Sequence, residues 1–162
     1  MKILKRNSHV LILFLLISVP ILAQNQIPIT NKIIIDYVNS VIGKKVDRGE
    51  CWDLAYQALT KAGAQWDGAY NYGKLVDPEK EIIHPGDIIQ FKNVKVKYKV
   101  NRAIYTETMK HHTAIVYQVI GKGVYKIAHQ NTSEFKKKVG ISDFTIDNVV
   151  AGKLKFYRPI PA

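Results

Sequence analysis

Cysteine occurs once in the chain, at position 51, inside the stretch DRGECWDLAYQALTKAG (47–63). Leu54, Ala55, Ala58, Leu59 and Ala62 follow it at helical spacing, so the pattern predicts a helix with Cys51 in its first turn and Gly63 as its C-terminal cap. The free N–H groups and dipole of a helix N-terminus favour an anion, so a thiolate is stabilised there, and the same N–H groups can hold an oxyanion. The spacing also sets the sulfur on the apolar face, where cysteine is equally at home as a small buried hydrophobe. The thiol has two readings, nucleophile or core, and the first needs a base.

Histidine is the usual base, and three histidines lie beyond His84, itself expected in a surface loop before Pro85. His111 and His112 are adjacent, so on a strand they point to opposite faces, and a metal shared between them is not expected. His112 has the parity of Ala114 and Val116, small residues suited to lying under a helix. The segment HTAIVYQVIGKGVYKIAHQN reads as a hairpin about Gly121–Lys122–Gly123. A turn at Gly121–Lys122 sets His112 opposite Asn131 and diagonal to His129; a turn at Lys122–Gly123 shifts the register but keeps the parity. A nucleophile, a base and a polar group to orient the base are then assembled from one helix end and one hairpin.

The elements that must position these groups fall in two blocks. Ile34, Ile35, Val38 and Val41 predict a first helix capped by Thr30 or Asn31 and ending near Gly43; the Cys51 helix follows. After the aperiodic WDGAYNYGKLVDPEKEII, strands are expected in HPGDIIQF, in the strictly alternating NVKVKYKV, in the hairpin, and in GKLKFYRPI, with SEFKKKVGISDF as a loop. Helices followed by an antiparallel sheet mean α+β, one layer of each. Asp87 is expected to cap a turn. Trp52 is either a lid beside the nucleophile or core; with Glu50 and Trp66 it is a candidate to line a substrate groove.

GECWDLA, HPGDIIQF, HHTAIV and VYKIAHQN, in that order across residues 31–158, resemble the papain-like superfamily of small cell-wall cysteine hydrolases, the CHAP and NlpC/P60 families. The resemblance implies a papain-like α+β fold of that type, with N-terminal helices packed on a central antiparallel β-sheet. It implies Cys51 as nucleophile, His112 as base, His129 at the third polar position, and Asn131 at an asparagine found two residues further on. Glu50 departs from the glutamine usual in CHAP proteins, and a carboxylate beside a thiolate opposes its ionisation. Trp52–Asp53 replaces the Ser-Gly of NlpC/P60. GECWDLA and HTAIV also resemble a domain at the C-terminus of a fungal actin-patch, myosin-binding protein, which points to a binding module instead.

Residues 1–24, with MKILKR before the apolar VLILFLLISVPILA, read as a signal peptide, implying a secreted or periplasmic protein. Residues 25–162 are enough for one domain, and losing Lys2, Lys5 and Arg6 lowers the net charge from +11 to +8. The basic residues are spread through KVKYK, EFKKK and KLKFYR, not gathered in one helix. Nucleic acid is therefore not the expected partner, whereas peripheral contact with an anionic wall or membrane surface is. The expected function is hydrolysis of an amide, first of all in peptidoglycan, by a Cys-His-polar triad through a thioester, in a monomer without cofactor or metal. The alternative is a catalytically inactive fold acting as a binding or interaction module.

Overall fold

The computed structural model describes residues 26–162, so the signal-peptide expectation for residues 1–24 lies outside the described residues. Helix α1 spans Ile29–Val41 and helix α2 spans Cys51–Lys61. Helix α1 starts earlier than expected, just after Pro28, and Thr30 and Asn31 are buried inside it. Asn31 is a tertiary strut and not a cap: its Nδ2 donates to the Pro85 carbonyl at 2.9 Å and to Asp87 Oδ1 at 2.8 Å. Helix α2 begins at Cys51, with Glu50 as its N-cap, one to two residues later than the Gly49–Glu50 start that the pattern suggests. It ends at Gly63 (φ +58°), whose N–H donates to the Thr60 carbonyl while the Ala64 N–H reaches the Leu59 carbonyl. This is the paired C-terminal bonding that a left-handed glycine permits.

The strands are β1 (Lys74–Val76), β2 (Ile88–Val100), β3 (Ala103–Gly121), β4 (Val124–His129), β5 (Gly140–Thr145) and β6 (Val149–Arg158). They form one six-stranded sheet in the order β1-β6-β2-β3-β4-β5, every neighbouring pair antiparallel. Strands β1 and β5 lie in segments that read as loop. The first has only three residues, and the second, GISDFT, carries Ser142 and Asp143 between its apolar positions. Both hairpin registers occur. Gly121 faces Val124 at the turn, and two irregularities then shift the pairing to Val116↔Ile127 and Ile115↔Ala128, the register of the Gly121–Lys122 turn.

The helices cover one face of the sheet, where Ile34, Val38, Leu54, Ala58 and Leu59 pack on Ile88, Ile115, Ala128 and Tyr157. Among the described residues no α-helix lies on the other face, only the short 3-10 turn Ile146–Asn148, whose Ile146 packs against it, so one layer of each is not the whole architecture. Phe91 on β2 meets Phe144 on β5 at 5.3 Å, and Tyr125 on β4 meets Phe156 on β6 at 5.7 Å. Each pair is three strands apart, roughly 14 Å in a flat sheet. The sheet therefore curls until its concave face closes on itself as a second core.

Ala114 and Val116 belong to this concave core, which corrects the expectation that the face carrying His112 lies under a helix. The helices take the Thr113 and Ile115 face. At Asn93 (φ +51°) β2 bulges against β6. Gly152 opposite makes room, since a Cβ there would lie 2.3 Å from the Asn93 carbonyl oxygen. The bulge keeps Val94 and Val96 on the same concave side as Phe91.

Helix α1 is tied to the sheet by Asp87, which is fully buried. It accepts from Asn31, from the His84 N–H at 2.9 Å, and from Arg158 through Nε at 3.2 Å and Nη2 at 2.9 Å. The turn-capping expected of Asp87 is one of these bonds. His84 is not a surface residue: it is 7 % exposed, and burial first, then the Arg158 charge, lowers its pKa.

Candidate active site

Strand β4 stops at His129, so β3 has no β4 partner along residues 111–113. The N-terminus of α2 fills that gap. Cys51 Sγ donates to the His111 carbonyl at 4.0 Å, and the Thr113 N–H points back at the sulfur. The thiol thus stands where the next rung of the β-ladder would be. Burial pushes the Cys51 pKa up, and the backbone N–H groups of Thr113 and Trp52 pull it down; the Glu50 charge adds a smaller upward push. At neutral pH the resting group is the thiol.

His112 leaves β3 on the concave side of this gap. Its Nε2 lies 3.0 Å from His129 Nδ1, and His129 Nε2 lies 2.9 Å from Ser142 Oγ on β5. These distances fit two sets of tautomers, and in the one that leaves a base facing the cleft His112 Nε2–H donates to His129 and His129 Nε2–H donates to Ser142. His112 Nδ1 then keeps its lone pair. It has no partner and is not among the sealed polar atoms of the described residues, so it opens into the cleft that Cys51, His112 and His129 line together. That cleft holds about 1130 Å³, walled on one side by Tyr98 and Met109 of the long β2–β3 arm and on the other by Ser133 and Glu134.

Three consecutive residues at the end of β4 divide the remaining work. His129 meets His112. Gln130, fully buried, brackets Val46 through its N–H and carbonyl at 3.2 and 3.1 Å and donates to the Glu50 carbonyl at 2.8 Å. Asn131 (φ +62°) turns away from the strand and donates to Glu50 Oε2 at 2.7 Å. It therefore holds the residue before the nucleophile and does not face His112. Lys137 completes the clamp, 2.5 Å from Glu50 Oε1. Its stem crosses Gly49, where a Cβ would lie 2.8 Å from Lys137 Cβ. Glu50 is thus held by a cation and an amide, and its charge is not left facing the sulfur alone. The Glu50 N–H is itself taken by Asp53 Oδ2 at 3.0 Å.

Trp52 and Trp66 are placed elsewhere. With Tyr56 they form a cluster of rings 5.3 to 5.5 Å apart on α2 and the loop after it, and neither lines the cleft. His111 is exposed and meets the ring of Tyr70 at 4.2 Å. Sequence reasoning missed Gln130 and Ser142. Gln130 lay in plain view within AHQN, but Ser142 sits on a strand whose polar residues masked it.

Burial drives the pKa of His112 down to about 4. Burial, then the neighbouring His112, drives His129 down to about 3. In an unfolded chain both titrate near 6.5. Above that pH both states are neutral and stability does not depend on them. As pH falls below 6.5, the unfolded chain takes up two protons that the fold refuses, and stability drops steadily towards pH 4. Urea midpoints are expected to fall over that window, and the double variant His112→Phe, His129→Phe to flatten the slope by about two protons. Parallel curves for the two proteins would refute the assignment.

A helix-terminal cysteine seated beside a histidine-bearing antiparallel sheet defines a papain-like, cysteine-proteinase-fold protein. The chain belongs to the AIM3/BBC1 cysteine proteinase-fold domain family, whose profile matches residues 30–162. It is 30% identical over 139 residues to Altered inheritance of mitochondria protein 3 of Debaryomyces hansenii, covering 75% of this chain and 15% of that one. Among solved structures, Ly7917 with the hydrolyzing product of MDP superposes with a TM-score of 0.51 at 16% identity, over 80% of this chain and 62% of that one. This likeness concerns the fold. The chain thus spans under a sixth of the curated relative and under two thirds of the Ly7917 chain. The expectation of a secreted or periplasmic protein is corrected here: the relative is named for the inheritance of mitochondria, an intracellular process.

Proposed function

We propose that this domain is a cysteine hydrolase that cleaves an amide bond of an extended peptide lying in the cleft beside the β2–β3 arm. The observation that carries the reading is the His112–His129–Ser142 chain, which leaves His112 Nδ1 free in the cleft that holds Cys51. In the reaction His112 Nδ1 takes the thiol proton as sulfur attacks the carbonyl carbon, and the imidazolium is held by the Nε2–H bond to His129. The N–H groups of the first turn of α2 receive the oxyanion. Nδ1–H then protonates the leaving amine, and water hydrolyses the thioester with His112 again as base. The NlpC/P60–CHAP type of papain-like fold is the version that such a site fits. Peptidoglycan, expected from the sequence, finds no support in the family or in the curated relative, so the substrate class is left at peptide amide.

A second reading is an inactive fold used as a binding module, and kinship favours it. The family is defined by its fold, and the curated relative's name states a cellular process and no chemistry. Burial of both the thiol and the base also suits a resting, uncharged pair. Treating the chain with p-nitrophenyl acetate and locating the acetyl group by mass spectrometry separates the two. The hydrolase reading expects a transient acetyl group on Cys51, absent in Cys51→Ala and formed far more slowly in His112→Ala. A Cys51 that does not acylate overturns the hydrolase reading and favours the binding module.

A further inference from the structure

Beyond Val96, where β6 makes its last pairing with β2, the β2–β3 arm continues as a two-stranded ribbon to the turn at Asn101–Arg102. Phe91, Val94 and Val96 face the concave core, so Lys92, Lys95 and Lys97 project from the opposite, convex face. Lys153 stands directly across from Lys92, and Lys155 lies two residues along on the same side of β6. All five lysines are exposed. None pairs with an acidic residue among the described residues. Like charges set directly opposite across a strand pair are destabilising, so the face is built at a cost that an anionic partner offsets.

The tip adds a second, independent observation. Val100, Ile104 and Tyr105 are 48, 63 and 48 % exposed, with Lys99 and Arg102 beside them, and Tyr105 stacks on Tyr98 at 5.6 Å. An acidic peptide or a nucleic acid would use the lysines and leave the apolar tip bare. A lipid surface uses both, because headgroup charge meets the lysines while aliphatic and tyrosine side chains settle at the acyl boundary. We propose that the convex face and tip of the β2–β3 arm dock on an anionic membrane surface. Ile104 shares the lysine face, across from Lys99, while Val100 and Tyr105 share the Tyr98 side, on which Tyr98 and Val100 wall the cleft, so a docked tip sets the outer end of the cleft at the membrane surface. The proposal stands apart from the hydrolase reading and holds equally for a binding module.

The test is cosedimentation of the full chain with phosphatidylcholine vesicles, with and without phosphatidylserine. Binding is expected only when phosphatidylserine is present. Each lysine near the surface contributes about fivefold in affinity, so Lys92→Gln, Lys95→Gln and Lys97→Gln together are expected to weaken binding about a hundredfold. Ile104→Ser with Tyr105→Ser is expected to weaken it at least tenfold. All these residues are exposed, and unchanged melting curves confirm that the variants are folded. Failure to bind the phosphatidylserine vesicles overturns the proposal. So does binding that ignores the tip variant and is matched by heparin or duplex DNA, which would mark a site for a soluble polyanion. Binding that persists in Cys51→Ala is expected and shows that docking does not depend on the thiol.

Discussion

Asp87→Ala is expected to cost about 3–5 kcal/mol and to lower Tm by on the order of 10–20 °C. Asp87 has no exposure to solvent, yet it receives two bonds from Arg158, one from Asn31 and one from the His84 backbone. Alanine removes the acceptor and leaves the donors. The Arg158 side chain, 18 % exposed, keeps a charge with only the Ile82 carbonyl to meet it, and the Asn31 amide keeps only the Pro85 carbonyl. The loss falls at the joint between α1, the turn before β2 and the end of β6, so the whole helical layer loosens. Thermal and urea melts followed by circular dichroism measure it. A Tm within about 3 °C of the parent would show that the buried pair contributes little beyond its own desolvation.

His112→Ala is expected to slow acylation of Cys51 by p-nitrophenyl acetate by about 10²–10⁴-fold, the usual contribution of a positioned general base. His129→Phe keeps a ring against Phe135, which lies 6.1 Å from it, but removes the acceptor for His112 Nε2–H. Its expected loss is smaller, on the order of tenfold. It is also expected to move the pH dependence of acylation, since the imidazolium loses its hydrogen-bonded ring partner. A purely structural role for His129 would lower the amount of folded protein and leave that profile in place. Equal rates for parent and His112→Ala would remove the base from the mechanism.

Local chemistry in the sequence was a good guide to local structure. Cys51 opens α2 and Gly63 closes it, because both signals act through the backbone next to them. The diagonal meeting of His112 and His129 follows from strand parity and a hairpin turn. What was hidden needed the third dimension. Parity says that His112 and Ala114 share a face, but it does not say which face the helices take, and they take the other one. Asn131 matches His112 in register, yet β4 ends two residues earlier, and a left-handed backbone sends the side chain to Glu50. Glu50 looked like a liability beside a thiolate. Its two partners, Asn131 and Lys137, arrive from 80-odd residues further along the chain. Ser142 could be found only once β5 was known to be a strand.

The place of β6 in the sheet bears on how the chain comes to be folded at all. It is the last described strand, yet it lies between β1 and β2, pairing Leu75 with Tyr157 and Ile89 with Phe156. During synthesis β1 and one edge of β2 therefore wait without a partner until residues 149–158 have left the ribosome. Contacts so distant along the chain make for slow folding. In the interval the bare flank of β2, with its apolar Ile88, Ile89 and Phe91, is a template for pairing with another chain. Translation that stalls or terminates before residue 149 is expected to release a product that aggregates, even though Cys51, His112, His129 and Ser142 are all already in it.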